Sequence, residues 1–285
     1  MKGTWLIYAI ITTVFWGVWG AFIEIPEKAG FPATLGYSVW ALSMIPCALV
    51  ALYIIRWKLE YNRRSILLGS TVGLLGAGGQ LLLFQALRDG PAYLVFPLIS
   101  LFPVVTILLS TTLLQERATR RHWTGIAIAL VAIAFLSYQE PTTQHSGGYL
   151  WLLLAVIVFI MWGVQAFAMK FSNEEMKAES IFFYMMVTGV LLIPVALWMT
   201  DFSQDINWGW KGPYLAGLIH ILNSVGALTL VYALRYGKSI IVVPLTGLSP
   251  VITVVLSLII YAVVPGPMLL VGIVLALIAI FLLSD

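Results

Sequence analysis

Apolar residues along this chain gather into ten long runs separated by short polar stretches. The runs are Trp5–Ile25, Ala33–Ile55, Ile66–Leu87, Ala92–Leu114, Trp123–Tyr138, Tyr149–Met169, Ser180–Thr200, Pro213–Leu234, Ile240–Val263 and Met268–Leu283. A helix needs about 20 apolar residues to cross a bilayer. Runs this long, apolar on all sides and without period-two alternation, predict helices rather than barrel strands. A helix bonds its own backbone groups inside lipid. The expected fold class is an all-α integral membrane protein with ten transmembrane helices.

Composition agrees with the pattern. The 285 residues are 61% hydrophobic and 9% charged, whereas a soluble domain carries roughly 25% charged residues. So few charges cannot cover a water-facing surface, and a soluble enzyme with an added anchor is excluded. The net charge of +3 is spread over loops, so no nucleic-acid partner is expected. Cys47 is the lone cysteine; it allows no intramolecular disulfide and no metal-ligand pair. No metal and no cofactor are expected. The run that follows Lys2 is too long for a signal-peptide core and lacks a small-residue cleavage site, so it reads as a retained first helix.

The runs repeat. Ala86–Ser110 (ALRDGPAYLVFPLISLFPVVTILLS) returns as Ala233–Ser257 (ALRYGKSIIVVPLTGLSPVITVVLS), with Arg88/Arg235, Gly90/Gly237, Pro97/Pro244, Pro103/Pro250 and Thr106/Thr253 aligned. The same spacing pairs Tyr37/Tyr184, Gly79/Gly226 and Gly125/Gly272, and one residue less pairs Trp16-Gly17-Val18 with Trp162-Gly163-Val164. A shared taste for Leu and Val does not align Arg, Gly and two Pro, so the chain is a duplication. Residues 1–140 form the first repeat with five helices and 149–285 the second with five, joined by a polar linker at 141–148. Because five is odd, the second repeat must enter the membrane from the opposite side. The repeats are then related by inversion, as in many secondary transporters.

Charge sets the orientation. With the N-terminus inside, Lys2, Arg56, Lys58, Arg63, Arg64, Arg117, Arg120, Arg121, Lys170, Lys177, Arg235 and Lys238 fall inside, against Lys28, Arg88 and Lys211 outside. By the positive-inside rule both termini are cytoplasmic and the protein is multi-pass in the cytoplasmic membrane.

The chain resembles the EamA-type members of the drug/metabolite transporter superfamily. The resemblance rests on Trp-Gly in helices 1 and 6 and on Ala-Leu-Arg-x-Gly followed by Pro-Leu-x4-Pro. It also rests on Leu114-x-Glu116-Arg117-x-Thr119 before Gly125. It implies alternating access around a central cavity that serves small polar or amphipathic metabolites. The second repeat has Tyr261-Ala262-Val263-Val264-Pro265 where the first has Leu114–Ala118, so the Glu-Arg feature occurs once.

Polar groups within the runs are costly in lipid and mark candidate sites. His220 and Asn223, three apart in helix 8, share a face; their repeat partners are Gly73 and Gly76. One half offers room and the other hydrogen-bonding groups, which suits an asymmetric solute; a purely structural tie between helices is the competing reading. Gln80 and Gln165 are further candidates, with Trp16, Trp19, Tyr37, Trp40 and Tyr184 as aromatic walls of the cavity. Trp16 and Trp19 with Glu24 could receive a cation by cation–π attraction. Glu24 and Lys170 are candidate coupling or gate charges, or ordinary helix-end charges. Pro97, Pro103, Pro244 and Pro250 remove backbone hydrogen bonds at matched depths and suggest paired kinks or hinges.

The expected function is a secondary transporter, or permease, for a small organic metabolite or drug-like solute, with the lipid bilayer as surroundings and a homodimer possible but not required. A flippase for a lipid or lipid-linked substrate is the alternative. An integral-membrane enzyme stands behind both, since no His-Glu-x-x-His, Gly-x-Ser-x-Gly or intramembrane Asp pair is present. No catalytic residue is assigned.

Overall fold

The computed structural model describes residues 3–90, 92–138, 149–261 and 266–284. All regular structure among them is helical. The first repeat holds α1 (Thr4–Phe22), α2 (Glu24–Lys28), α3 (Ala33–Ile54), α4 (Arg63–Asp89), α5 (Ala92–Ser100), α6 (Pro103–Thr112) and α7 (Arg120–Leu136). The second holds α8 (Leu150–Glu175), α9 (Ala178–Leu191), α10 (Ile193–Met199), a π-helical turn (Trp210–Tyr214), α11 (Leu215–Tyr236), α12 (Ser239–Thr246), α13 (Ser249–Tyr261) and α14 (Pro267–Leu283). The linker expected at 141–148 lies outside the described residues.

Helix starts follow local chemistry. The Asn62 side chain accepts from the Ser65 N–H at 2.9 Å and opens α4. Thr119 accepts from the His122 N–H at 3.2 Å and opens α7. Both satisfy first-turn donors that have no partner inside the helix. The runs Ala92–Leu114 and Ile240–Val263, expected as single helices, are each interrupted, at residues 101–102 and 247–248. The reason is local: Pro103 is the first residue of α6 and Pro250 the second of α13, and proline has no N–H to continue the ladder from the preceding turn. Pro97 falls within α5 and Pro244 within α12. The run Ser180–Thr200 also breaks, at Leu192, just before Pro194.

Among the described residues eight helical stretches are long and apolar enough to cross a membrane: 4–28, 33–54, 63–89, 94–112, 150–175, 178–199, 210–236 and 239–260. Helix α14 is apolar but shorter. Helix α7 also has 17 residues, and Arg120 and Arg121 occupy its first turn. Seventeen residues rise about 26 Å, against a hydrocarbon core of about 30 Å. The two short helices pack along each other.

Packing repeats between the halves. Helix α1 lies on α11, and its counterpart α8 lies on α4. Helix α3 touches α11, and α9 touches α4. Helix α1 touches α13, and α8 touches α6. Two contacts join equivalent helices, α3 with α9 and α7 with α14. Gly125 near the start of α7 faces Leu282 and Leu283 at the end of α14, while Gly272 near the start of α14 faces Phe135 and Leu136. Those equivalent helices therefore run antiparallel. The main core, with Met44, Phe182, Ile133, Val231 and Leu245, lies where the halves meet. Leu67, Trp198, Leu277 and Phe281 stay exposed on the outside, as lipid-facing positions do.

Candidate functional site

Helices α1, α3 and α11 meet along their central turns, and there the polar side chains collect. The lean residue on each helix decides how closely they approach. A Cβ on Gly226 of α11 would lie 2.5 Å from Trp16 of α1, so glycine lets the indole rest on the α11 backbone. The Trp16 Nε1–H donates to the Asn223 carbonyl at 3.2 Å. One turn along, Trp19 Nε1–H donates to His220 Nδ1 at 3.1 Å. From α3, Trp40 Nε1–H donates to Asn223 Oδ1 at 2.8 Å. Ser43 and Ser224 hydroxyls meet at 3.0 Å, and Ser43 also donates to the Trp40 carbonyl at 2.7 Å. Tyr37 stacks at a tilt on Trp40, with ring centroids 5.2 Å apart, and its hydroxyl donates to the Gly189 carbonyl of α9 at 3.2 Å. Thr12 and Thr229 hydroxyls close the row at 2.8 Å.

His220 is 5% exposed. Its Nδ1 accepts a proton already held by Trp19, so in this arrangement the ring is neutral and its own proton sits on Nε2. All partners of His220 and Asn223 named here are neutral groups. Side-chain bonds between membrane helices contribute about 0.6 kcal/mol on average, so five or six of them order the site without freezing it.

The repeat that carries Gly73 and Gly76 differs. The space beside Gly73 is filled by Thr188 and that beside Gly76 by the Gln165 amide. The expected vacancy opposite His220 and Asn223 is therefore occupied. Two other contacts are shared by both halves. Trp162 Nε1–H donates to the Gly76 carbonyl at 3.3 Å, as Trp16 does to Asn223. Thr106 donates to the Gly163 carbonyl and Thr253 to the Gly17 carbonyl, both at 2.9 Å.

The EamA-like transporter family model matches this sequence twice, over residues 3–138 and 149–285. The chain belongs to the EamA-like transporter family. It is thus a multi-pass membrane transporter of the drug/metabolite superfamily. Protein LicB of Haemophilus influenzae is 24% identical over 212 residues, 70% of each chain. An uncharacterized protein of Methanocaldococcus jannaschii is 32% identical over 133 residues, 47% of this chain and 95% of its own. A probable 4-amino-4-deoxy-L-arabinose-phosphoundecaprenol flippase subunit, ArnE, of Hamiltonella defensa subsp. Acyrthosiphon pisum is 33% identical over 81 residues, 28% of this chain and 72% of its own. A solved crystal structure superposes with a TM-score of 0.78 at 16% identity, covering 97% of both chains, a likeness of fold.

The other candidates of this EamA-family chain lie apart from the cluster. Tyr184 packs over Gly69 and donates to the Glu60 carbonyl at 2.6 Å. Gln80 is half-buried on α4, which packs on α8 and α9. Glu24 pairs with Lys28 at 2.5 Å on an exposed surface. Lys170 donates to the carbonyls of Leu234 and Gly237 at 3.0 and 2.9 Å, where α11 ends; cations are favoured at a helix C-terminus.

Sequence reasoning passed over Ser43, Ser224, Thr12 and Thr229, whose hydroxyls carry no periodic signal. It also passed over Glu60 and took Glu116 only as a motif letter. The Glu60 carboxylate accepts from Ser180 Oγ at 2.5 Å and from the Lys177 N–H at the start of α9. The Glu116 carboxylate accepts from the Ser239 and Ile240 N–H groups, both at 3.0 Å, at the start of α12. Each thus caps a helix of the other repeat. Among the described residues no group of three or more His, Cys, Asp or Glu is placed to hold a metal ion.

Proposed function

We propose that this transporter is a permease that moves a small organic solute across the cytoplasmic membrane by alternating access. It does so with ten spans in two inverted five-helix repeats and with both termini cytoplasmic. It performs no catalysis and needs no cofactor or second copy. The antiparallel packing of equivalent helices supports the inversion, and the clustering of Arg and Lys at one end supports the orientation. The carrying observation is the neutral polar cluster of Trp19, Trp40, His220 and Asn223. Both repeats build it, it lies within the spans 4–28, 33–54 and 210–236, and the equivalent positions of His220 and Asn223 in the first repeat are the glycines Gly73 and Gly76. A duplicated scaffold with one unrepeated polar site is what a carrier of an asymmetric solute requires.

The test is flux into proteoliposomes, guided by a thermal-stabilisation screen, since a bound solute raises apparent stability. Saturable flux of a stabilising solute is expected. Folded protein without saturable flux of any solute would refute the reading.

A flippase is the second reading. A groove of about 360 Å³ lies between α3 and α11, its lining including Leu42, Ser43, Pro46, Pro213, Gly217 and Ile221. An apolar groove on the outer face suits a substrate that keeps its chain in lipid, and one relative is named as a flippase subunit. Movement of a fluorescent undecaprenyl-linked sugar between leaflets, absent from liposomes without the protein, would favour it.

A further inference from the structure

The donors and acceptors left over in the cluster define what it can hold. Three indole N–H groups point into it and all three are engaged, on the Asn223 carbonyl, His220 Nδ1 and Asn223 Oδ1. The serine hydroxyls are engaged with each other and with the Trp40 carbonyl. Two groups remain. His220 Nε2 is fully buried and has no partner among the described residues. The Asn223 amide has given its oxygen to Trp40, which leaves Nδ2 and its two protons. Both leftovers are donors.

The His220 donor lies beside Gly36. A Cβ built on Gly36 would find one atom within 4 Å, His220 Nε2 at 3.8 Å. One on Gly217 would meet Val39 Cγ1 alone, at 3.6 Å. The space beside Gly73 and Gly226, by contrast, is filled, by Thr188 and by Trp16. A buried donor without a partner costs free energy unless a ligand supplies an acceptor.

Charge decides between ligand classes. Among the described residues the one buried carboxylate is Glu179, which accepts from Tyr232 at 2.5 Å at another level of the bundle. Glu24, the acid nearest Trp19 in sequence, is paired with Lys28. A cation at His220 would meet two donors and no counter-charge. An anion would find donors but no compensating cation in a medium of low dielectric. An uncharged solute meets neither penalty, and the faces of Trp19, Trp40 and Tyr37 can cover its C–H surface.

Resting on the transporter reading, we propose that the cluster binds an uncharged, acceptor-bearing solute of the polyol or monosaccharide class. His220 Nε2–H and Asn223 Nδ2–H donate to its oxygens, and Gly36 leaves the space it fills.

The test uses the full chain in proteoliposomes with radiolabelled glucose, ribose and mannitol as neutral probes, choline as a cation and lactate as an anion. Saturable flux of at least one neutral probe is expected, with none for choline or lactate. His220→Phe keeps a ring but removes the donor, and should raise the half-saturation concentration about tenfold, the loss of one hydrogen bond in a dry site. Gly36→Ala, whose Cβ would meet no atom closer than 3.8 Å, should fold normally and raise it as well; it keeps the test open if His220→Phe fails to fold. Choline or lactate carried as well as, or instead of, the neutral probes would overturn the substrate class and leave the transporter intact. A neutral flux indifferent to both variants would overturn the site. Silence from every probe would overturn the substrate class, and the transporter reading would fall only if no solute from the thermal-stabilisation screen showed saturable flux either.

Discussion

Gly78 and Gly79 are neighbours on α4, yet the structure assigns them opposite sensitivities. A Cβ on Gly79 would lie 2.6 Å from Trp162 Nε1, and one on the equivalent Gly226 would lie 2.5 Å from Trp16 Nε1. On Gly78 the nearest atom is Met161 Cε, the end of a flexible side chain, at 3.4 Å. Gly79→Ala and Gly226→Ala should each lose stability in the range of about 1–3 kcal/mol set by overpacking. Gly78→Ala should be neutral or stabilised by up to about 1 kcal/mol through helix propensity. Thermal unfolding in detergent, followed by tryptophan fluorescence, measures all three. Outside the spans, Ser203, through its hydroxyl and then its N–H, and Gln204 hold the Asp201 carboxyl below its usual value. A lowered folded value means that Asp201 stabilises the loop above the unfolded value of about 3.9 and that the contribution disappears as pH falls through the folded one. Asp201→Asn should therefore melt slightly below the parent near neutral pH, and the gap should close in acid.

The matched threonines test whether equivalent helices carry equivalent loads. Thr106 of α6 and Thr253 of α13 each donate to a glycine carbonyl on the helix they cross, at the same 2.9 Å. Thr→Val keeps the shape and removes the bond, at a cost of about 0.6 kcal/mol in a membrane bundle. The two substitutions should cost the same and add when combined, because they share no partner; equilibrium unfolding of the two singles and the double reads this directly. The helices themselves were legible in the sequence, since long apolar runs permit little else in lipid. The interruptions at 101–102 and 247–248 were not: hydropathy does not change across them, and proline was the sole mark. Nor was the pairing of Trp40 with Asn223, or the filling of Gly73 and Gly76 by Thr188 and Gln165. A helix apolar on every side gives no amphipathic face from which to read its rotation, and rotation decides which side chains meet. His220 and Asn223 were visible because polar groups in such runs are rare. Gly36 was invisible because its role is the space next to another residue.

The two ends of the bundle are tied by different chemistry, although the repeats that build them are equivalent. At the end where α9 and α12 begin, Glu60 and Glu116 accept from backbone N–H groups of the opposite repeat, and Arg64 pairs with Glu175 at 2.7 Å. At the other end the counterpart of Glu60 is Asn207, which donates its side-chain amide to the Ala29 carbonyl and its N–H to the Gly30 carbonyl, at 2.9 and 3.0 Å. Hydrogen bonds to an ionised acceptor are about twice as strong as neutral ones, so the carboxylate end should be the tighter seal. Replacing Glu60 and Glu116 by Gln keeps the shape and removes the charge, at about 1 kcal/mol for these half-exposed groups, or roughly fivefold in a two-state population. Spin labels at Arg120 and Glu174, exposed at that end in opposite repeats, should then report a larger long-distance population. Asn207→Ala should move the same distances the other way, because loosening one seal of a rocking pair favours opening at that end alone. If the Gln variants left the distance distribution where it was, the carboxylates would be ordinary helix caps and the closure of that end would have to come from packing.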